Sequence, residues 1–288
     1  MSTETSSLFD EVSFTREQFR SFAVHAALYG TAFLFVVPYA YMFTTSIQPR
    51  EQIYSDVPFL IPQGFTLRWY EQLLNNSQII NWTINTVLLA GATTIVVLLV
   101  DSMIAYSLTR LEWPGRKVVF SVIVASFMVP GIINLVPVFM IVSELGLVNN
   151  LIGVILPSVA NPLGVFMLYQ FFRDIPEELE EAARLDGFSR IRIFTHITLP
   201  LMRSALAALG LFIFIWTWNA FLWPLVILQD QAMYTLPIGL VTVQDTMGVT
   251  EPGIVMASAV IASAPLLIVF LLLQNHLVRA VEMQGTVG

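Results

Sequence analysis

The residues with most chemistry to offer lie together in EELEEAARLDGFSRIRIFTHITLP, positions 177–200, which holds five acids, three arginines and one glycine. Their spacing suits a docking surface better than a reaction centre. Asp174 followed by Glu177 has the spacing of a capping box, with Asp in place of Ser or Thr. Pro176 fits a first helical turn, and Glu177, Glu178, Glu180 and Glu181 stand toward the positive end of that helix's dipole. Glu180 and Arg184 are four apart and can pair along its surface. Gly187 stops the helix at a position suited to a left-handed backbone, and Ser189 can cap a second short helix. Leu179, Ala182 and Ala183 fall on one side, where alanines let another backbone come close and flanking carboxylates accept charge-assisted bonds. The competing reading is an amphipathic helix lying on a membrane surface. Such helices are rich in Lys and Arg on the polar face, whereas this one is rich in acids.

The remaining polar residues exclude several functions. There is no cysteine, hence no disulfide and no thiolate metal site. His25, His196 and His276 are scattered, so no metal site is expected. The one lysine, Lys117, stands in PGRKVV, which is no phosphate loop, so the chain is not expected to hydrolyse ATP. No HExxH or serine–histidine constellation suggests an intramembrane enzyme, and no catalytic residue is assigned. A formal charge of −7 argues against nucleic acid as a partner.

These residues are carried by a chain that is 56% hydrophobic and only 11% charged. A soluble surface cannot be covered from that composition. Six apolar runs are each long enough to cross a bilayer, at 22–46, 82–108, 118–143, 150–172, 199–228 and 254–277. The expectation is an all-α membrane protein: a polar N-terminal segment over 1–21, not a cleaved signal, and one transmembrane domain over 22–288. With the N-terminus inside, the inner side holds Arg16, Arg20, Arg110, Arg116, Lys117, Arg173, Arg184, Arg190, Arg192, Arg203 and Arg279, and the outer side only Arg50 and Arg68. Seven acids fall outside: Glu51, Asp56, Glu71, Glu144, Asp230, Asp245 and Glu251. Both termini are therefore expected in the cytoplasm, and the polar island with them.

Glu181-Ala182-Ala183, three residues, Gly187, nine residues, Ile197, one residue and Leu199-Pro200 resemble the EAA signature of binding-protein-dependent ABC importer permeases. In that family the loop is a coupling helix that docks in a cleft of the ATP-binding subunit. The resemblance implies that Glu181, Ala182, Ala183 and Gly187 form this contact, with Leu185, Asp186, Ile197 and Pro200 in the same loop, about 173–198 and its flank. It extends to Arg110–Arg116, similar to the aromatic-Pro-Gly-Arg turn of sugar permeases, and to Trp218–Leu225 and Thr235–Leu240. The whole is similar to the shorter, six-span permease of maltose-type importers. That implies a type I importer permease fold, two ATP-binding subunits, a second permease (heterodimer or homodimer), a binding protein outside and lipid around the spans. ATP and Mg would belong to the partner ATPases, this chain holding no cofactor, in the plasma membrane of a prokaryote.

A neutral, hydroxyl-rich substrate binds against aromatic faces with amides satisfying its hydroxyls. Trp216, Trp218, Asn219 and Trp223 supply both kinds of group, and Asn85, Asn134 and Asn161 add amides near other spans. Each Asn serves equally as a helix–helix hydrogen bond and each Trp as an interfacial anchor. A sugar, a polyol and glycerol 3-phosphate all remain open. Asp101, deep in the second span, reads as a paired structural carboxylate or as a proton site, the latter being the basis of a rival secondary transporter. Pro130-Gly131 is expected to break the third span.

Overall fold

The computed structural model describes residues 4–55, 62, 64–76, 78–248 and 251–285. Residues 1–3 of the N-terminal segment and Asp56 lie outside them, as do the side chains of Arg16 and Arg279. Among the described residues every regular element is helical. Gln18–Ser46, Ile79–Arg110 and Pro252–Leu272 are long and apolar enough to cross a membrane unbroken, and three bent helix pairs bring the number to as many as six where each pair is one span. The described residues fall into two compact units.

The first unit comprises Met1–Gln72 and Met247–Val260. Helix α1 (Glu4–Ser46) presents exposed apolar side chains on all sides between Phe19 and Phe43, as a helix facing hydrocarbon does. Beyond it lie α2 (Arg50–Ile53) and α3 (Arg68–Asn76). Trp69, 1% exposed, ties this segment together by donating its indole N–H to the Gln48 carbonyl at 2.8 Å. Gly253 lets the same ring seat, since a Cβ there would collide with it. Arg50 and Glu251 form an ion pair at 3.3 Å.

The second unit, Leu73–Thr246 with Ile261–Gly288, is organised around α4 (Ile79–Arg110). Its 32 residues reach about 48 Å at 1.5 Å each, more than a hydrocarbon core of about 30 Å, so its last turn stands clear of the apolar layer. The run expected at 118–143 bends by 98° between α5 (Arg116–Ser126) and a 3-10 turn leading into α6 (Leu135–Glu144). The break falls at Pro130-Gly131 as the sequence suggests, because Pro130 has no N–H to continue a helix.

Three further breaks interrupt runs that the sequence presents as continuous. The run at 150–172 divides into α7 (Leu151–Ile155), a 3-10 turn at Leu156–Ser158 and α8 (Pro162–Asp174), bent by 47°. Pro157 and Pro162 remove two donors there, and Asn161 caps α8 by accepting from Gly164 N–H at 3.1 Å. The polar island holds α9 (Glu177–Leu185) and α10 (Arg190–Ile193), the two short helices expected there, and a π-helical turn at Phe194–Thr198 runs on into α11 (Leu199–Leu201). A 78° bend then leads into α12 (Arg203–Trp218). That helix stops at Trp218, ten residues short of the expected end, and α13 (Leu222–Ile227) follows a break at Asn219. The Asn219 amide donates back to the Ile215 carbonyl at 2.8 Å, and Pro224 forbids one continuous ladder.

Helices α8 and α12 pack on α4 around Val97, Ala105, Tyr106, Leu168, Phe172, Ala205 and Leu209. At the opposite end the loop before α14 (Leu236–Val243) is tied to α4: Trp82 donates to the Gln231 carbonyl at 2.8 Å and Thr86 accepts from Leu236 N–H at 2.7 Å. Gly239 in the Thr235–Leu240 motif lies against Trp82, where a Cβ would collide with the ring. The last helix is α15 (Pro252–Gly285).

Candidate coupling site and membrane cavity

Helix α9 is a short surface element held by one buried carboxylate. Glu180 is 1% exposed. Its Oε1 lies 3.2 Å from Arg110 Nε, an ion-pair distance without hydrogen-bond alignment, and accepts from Thr198 Oγ1 at 3.4 Å. Its Oε2 accepts from the Tyr106 hydroxyl at 3.2 Å, with Arg184 at 3.9 Å. Arg110 does more than neutralise it. One Nη2 donates to the Phe172 and Ile175 carbonyls at 2.7 and 2.5 Å, and Nη1 pairs with Glu177 at 3.2 Å. A single guanidinium thus joins the end of α4, the C-terminal carbonyls of α8 and the first turn of α9, a use of its fixed fork that a lysine cannot reproduce.

The capping box does not form. Asp174 is the last residue of α8, and Pro176 is the N-cap with no side-chain bond, because Arg110 anchors this turn through Glu177 instead. The C-terminus follows the sequence: Gly187 has φ +82°, with Gly187 N–H donating to Arg184 and Phe188 N–H to Ala183, the Schellman pairing. Ser189 Oγ accepts from Arg192 N–H at 3.4 Å and so caps α10.

The face assignment needs correction. Ala183, 6% exposed, turns inward beside Glu180 rather than outward with Leu179 and Ala182. The clamp on Glu180 sets that rotation, since positions three apart share a face. Glu181, Ala182, Asp186 and Gly187 are exposed, and Leu185 stands out at 90%. Ile197 is half-buried in the π turn and Pro200 is exposed. Arg110, Glu180, Tyr106 and Thr198 were not singled out as a set from the sequence. The signal available was a buried-type Thr in a motif of otherwise apolar residues and an Arg at a span end facing an acid-rich helix.

Among the pathway candidates, the structure brings Trp216 and Asn161 to one cavity of about 210 Å³ at the break between α7 and α8. Thr93, Ser158, Phe212 and Thr217 line it too. Trp216 presents its ring outward at 71% exposure. The other candidates are placed elsewhere. Trp218 is 2% exposed and donates to the Ala262 carbonyl at 3.3 Å, offering a solute neither ring face nor donor in this conformation. Trp223 donates to the Val154 carbonyl at 3.3 Å, and Asn85 donates to the Ala232 and Tyr234 carbonyls at 2.9 and 3.0 Å. Asn219 serves the helix end described above, and Asn134 is exposed on its 3-10 turn.

Asp101 is fully buried and accepts from Asn161 N–H at 2.9 Å through Oδ1. A carboxylate from α4 thereby meets the N-terminus of α8, where the helix dipole favours it. Gly164 makes room, since a Cβ there would collide with Oδ2. Oδ2 is buried without a hydrogen-bond partner among the described residues, so the contact the geometry displays is with the Asn161 N–H. Asp101→Asn keeps the Oδ1 acceptor, so uptake by that variant is expected to stay within about tenfold of wild type, since even the loss of one net hydrogen bond costs at most about 1.5 kcal/mol. Uptake abolished in a normally assembled complex would instead give the carboxylate a part in transport.

Apolar helices enough for up to six spans, three of them bent, with a rigidly held surface helix displaying an exposed leucine, define a polytopic membrane protein. The chain belongs to the binding-protein-dependent transport system inner membrane component family, whose model matches residues 99–283, and it is the permease subunit of an ABC importer. It is 33% identical to the arabinooligosaccharides transport system permease protein AraQ of Halalkalibacterium halodurans, over 89% of this chain and 93% of that one. It is 32% identical to the diacetylchitobiose uptake system permease protein NgcG of Streptomyces coelicolor, over 91% and 87%. Its fold matches a chain in the crystal structure of a bacterial ABC transporter involved in import of the acidic polysaccharide alginate, with a TM-score of 0.80 and 25% identity over 89% and 96%. The all-helical type I importer permease fold follows.

Proposed function

We propose that this subunit carries a sugar or related polyol inward by alternating access, driven by separate ATP-binding subunits that dock on α9. The observation that carries the coupling part is Leu185: 90% exposed on a helix whose opposite side is fixed by Arg110 and Glu180. An apolar side chain left in water on a rigid support suits a pocket in another protein. The substrate class is supported by the relatives' transport of arabinooligosaccharides and diacetylchitobiose, as their names state, and by a cavity that combines Trp216 with Asn161, Thr93 and Thr217.

The full assembly on this reading has two ATPase subunits holding ATP and Mg, a second and different permease, and a substrate-binding protein on the outer face. Eleven inner against two outer basic residues support cytoplasmic termini in a prokaryotic plasma membrane. A loaded binding protein docks outside, closure of the ATPases moves α9, and α9 moves the ends of α4 and α8 through Arg110.

The test is purification of the tagged chain in a mild detergent, with identification of the subunits that accompany it. ATP-binding subunits are expected with wild type. Gly187→Val should reduce their recovery at least tenfold, because a β-branched residue at φ +82° disfavours the turn by about 1–2 kcal/mol or more and tilts α9 off its seat. A chain recovered alone under several mild conditions would sink the docking model. Competition of uptake by oligosaccharides but not by glycerol 3-phosphate would support the substrate class.

A further inference from the structure

A second cavity, of about 430 Å³, opens beside the Arg110 clamp and shares only Glu177 with it. It lies where α4 ends, α5 begins and α8 ends, on the same side of the spans as α9. Arg116, Lys117 and Arg173 line it, with Glu177 as the one carboxylate, and Glu177 is already engaged by Arg110 at 3.2 Å. Among the described residues none of the three cations has a carboxylate within ion-pair distance. Arg116 gives one N–H to the Leu111 carbonyl at 3.1 Å, and the Arg173 guanidinium stands over the Tyr169 ring at 6.0 Å. Gly115 caps α5 in the left-handed conformation without a side-chain bond, so the first N–H groups of an 11-residue helix add to the positive field.

The wall of the cavity points to an amphipathic occupant. Phe120 and Tyr169 stack at 4.1 Å between the cations and the membrane interior. Val118 and Val122, 66 and 62% exposed and four residues apart, run down the adjoining face of α5 into the span. A small soluble anion needs the cations but has no use for that apolar strip. Basic pockets between spans at this depth hold the phosphate groups of anionic lipids.

We propose that this cavity binds the phosphate headgroup of an anionic phospholipid, its acyl chains lying along the exposed valines of α5. The lipid would then bridge α5 and α8, helices of two of the three bent spans, at the end nearest α9. Neither the sugar class nor the direction of transport bears on this site.

Native mass spectrometry of the intact importer complex reads subunits and retained lipids together. The complex would be prepared in nanodiscs of phosphatidylcholine with increasing phosphatidylglycerol, and separately in detergent with inorganic phosphate. A saturable phosphatidylglycerol adduct on this chain is expected. It should weaken about 30-fold in Lys117→Gln/Arg173→Gln, two charges each worth about 1 kcal/mol at a membrane surface. Both side chains are exposed, so the fold is spared, and Arg203→Gln, an exposed arginine outside the cavity, should leave the adduct unchanged. Equal occupancy by inorganic phosphate would overturn the lipid assignment in favour of a soluble anion. An adduct indifferent to the double variant would overturn the site. Loss of the ATPase subunits with the lipid retained would assign the cations to a protein partner instead.

Discussion

Arg110→Met is expected to abolish ATP-driven uptake while the chain still inserts in the membrane. Methionine fills much of the same volume but leaves Glu180 buried at 1% exposure with hydroxyl partners and no adjacent cation except Arg184 at 3.9 Å. Removing one partner of a buried ion pair costs about 3–5 kcal/mol. The Phe172 and Ile175 carbonyls lose their shared donor as well, at about 1–3 kcal/mol for a charged bond. These terms fall on the junction between α9 and the spans, the route of motion proposed above. Uptake and binding-protein-stimulated ATP hydrolysis in proteoliposomes should therefore fall together, by a hundredfold or more on about 3 kcal/mol. Arg110→Lys should recover little, since an ammonium is a point charge and cannot hold two carbonyls and two carboxylates in one plane. The double variant Arg110→Met/Glu180→Leu is the sharper check, because replacing both charges by apolar groups removes the uncompensated one. It should be more stable than Arg110→Met alone when thermal unfolding is compared, yet still uncoupled. Uptake above half of wild type in Arg110→Met would remove the clamp from the coupling route.

The legible parts of the fold share a cause: they depend on residues close in sequence. Six apolar runs, the break at Pro130-Gly131, the left-handed Gly187 and the Ser189 cap each follow from a neighbour within a few positions. The EAA spacing is local too, and it located the exposed Ala182, Leu185 and Asp186. What escaped depends on partners far along the chain. Tyr106 reaches Glu180 across 74 residues and Arg110 reaches Ile175 across 65, so neither pairing has a signature in a single sequence. Ala183 was placed on the outer face because helical periodicity gives relative positions on a helix but not its rotation. Trp218 was read as a pathway residue for its type, and only the Ala262 carbonyl reveals where its N–H goes. The break before α8 had a local cue in Pro157 and Pro162 that a continuous apolar run concealed.

Leu185→Asp should produce the complementary loss, in docking rather than in stability. The Leu185 side chain touches almost nothing in its own chain, being 90% exposed, so its replacement leaves the clamp of Arg110 and Glu180 intact. Seating a leucine in an apolar pocket contributes about 1.5–3 kcal/mol. An aspartate forfeits that and must also shed water from a charge to enter the same pocket. Binding of the ATPase subunit to the purified chain should weaken at least a hundredfold, about 3 kcal/mol, with thermal unfolding unchanged. Leu185→Ala should lie between, at roughly tenfold, since it deletes the anchor without adding charge. The contrast with Arg110→Met separates the two halves of the proposed coupling: the arginine fixes α9 to the spans, and the leucine would fix α9 to the ATPase. If Leu185→Asp bound the ATPase as wild type does, α9 would be seated through Glu181 and Asp186 alone. The interface would then be electrostatic, and raising the salt concentration should release the ATPase from the wild-type complex.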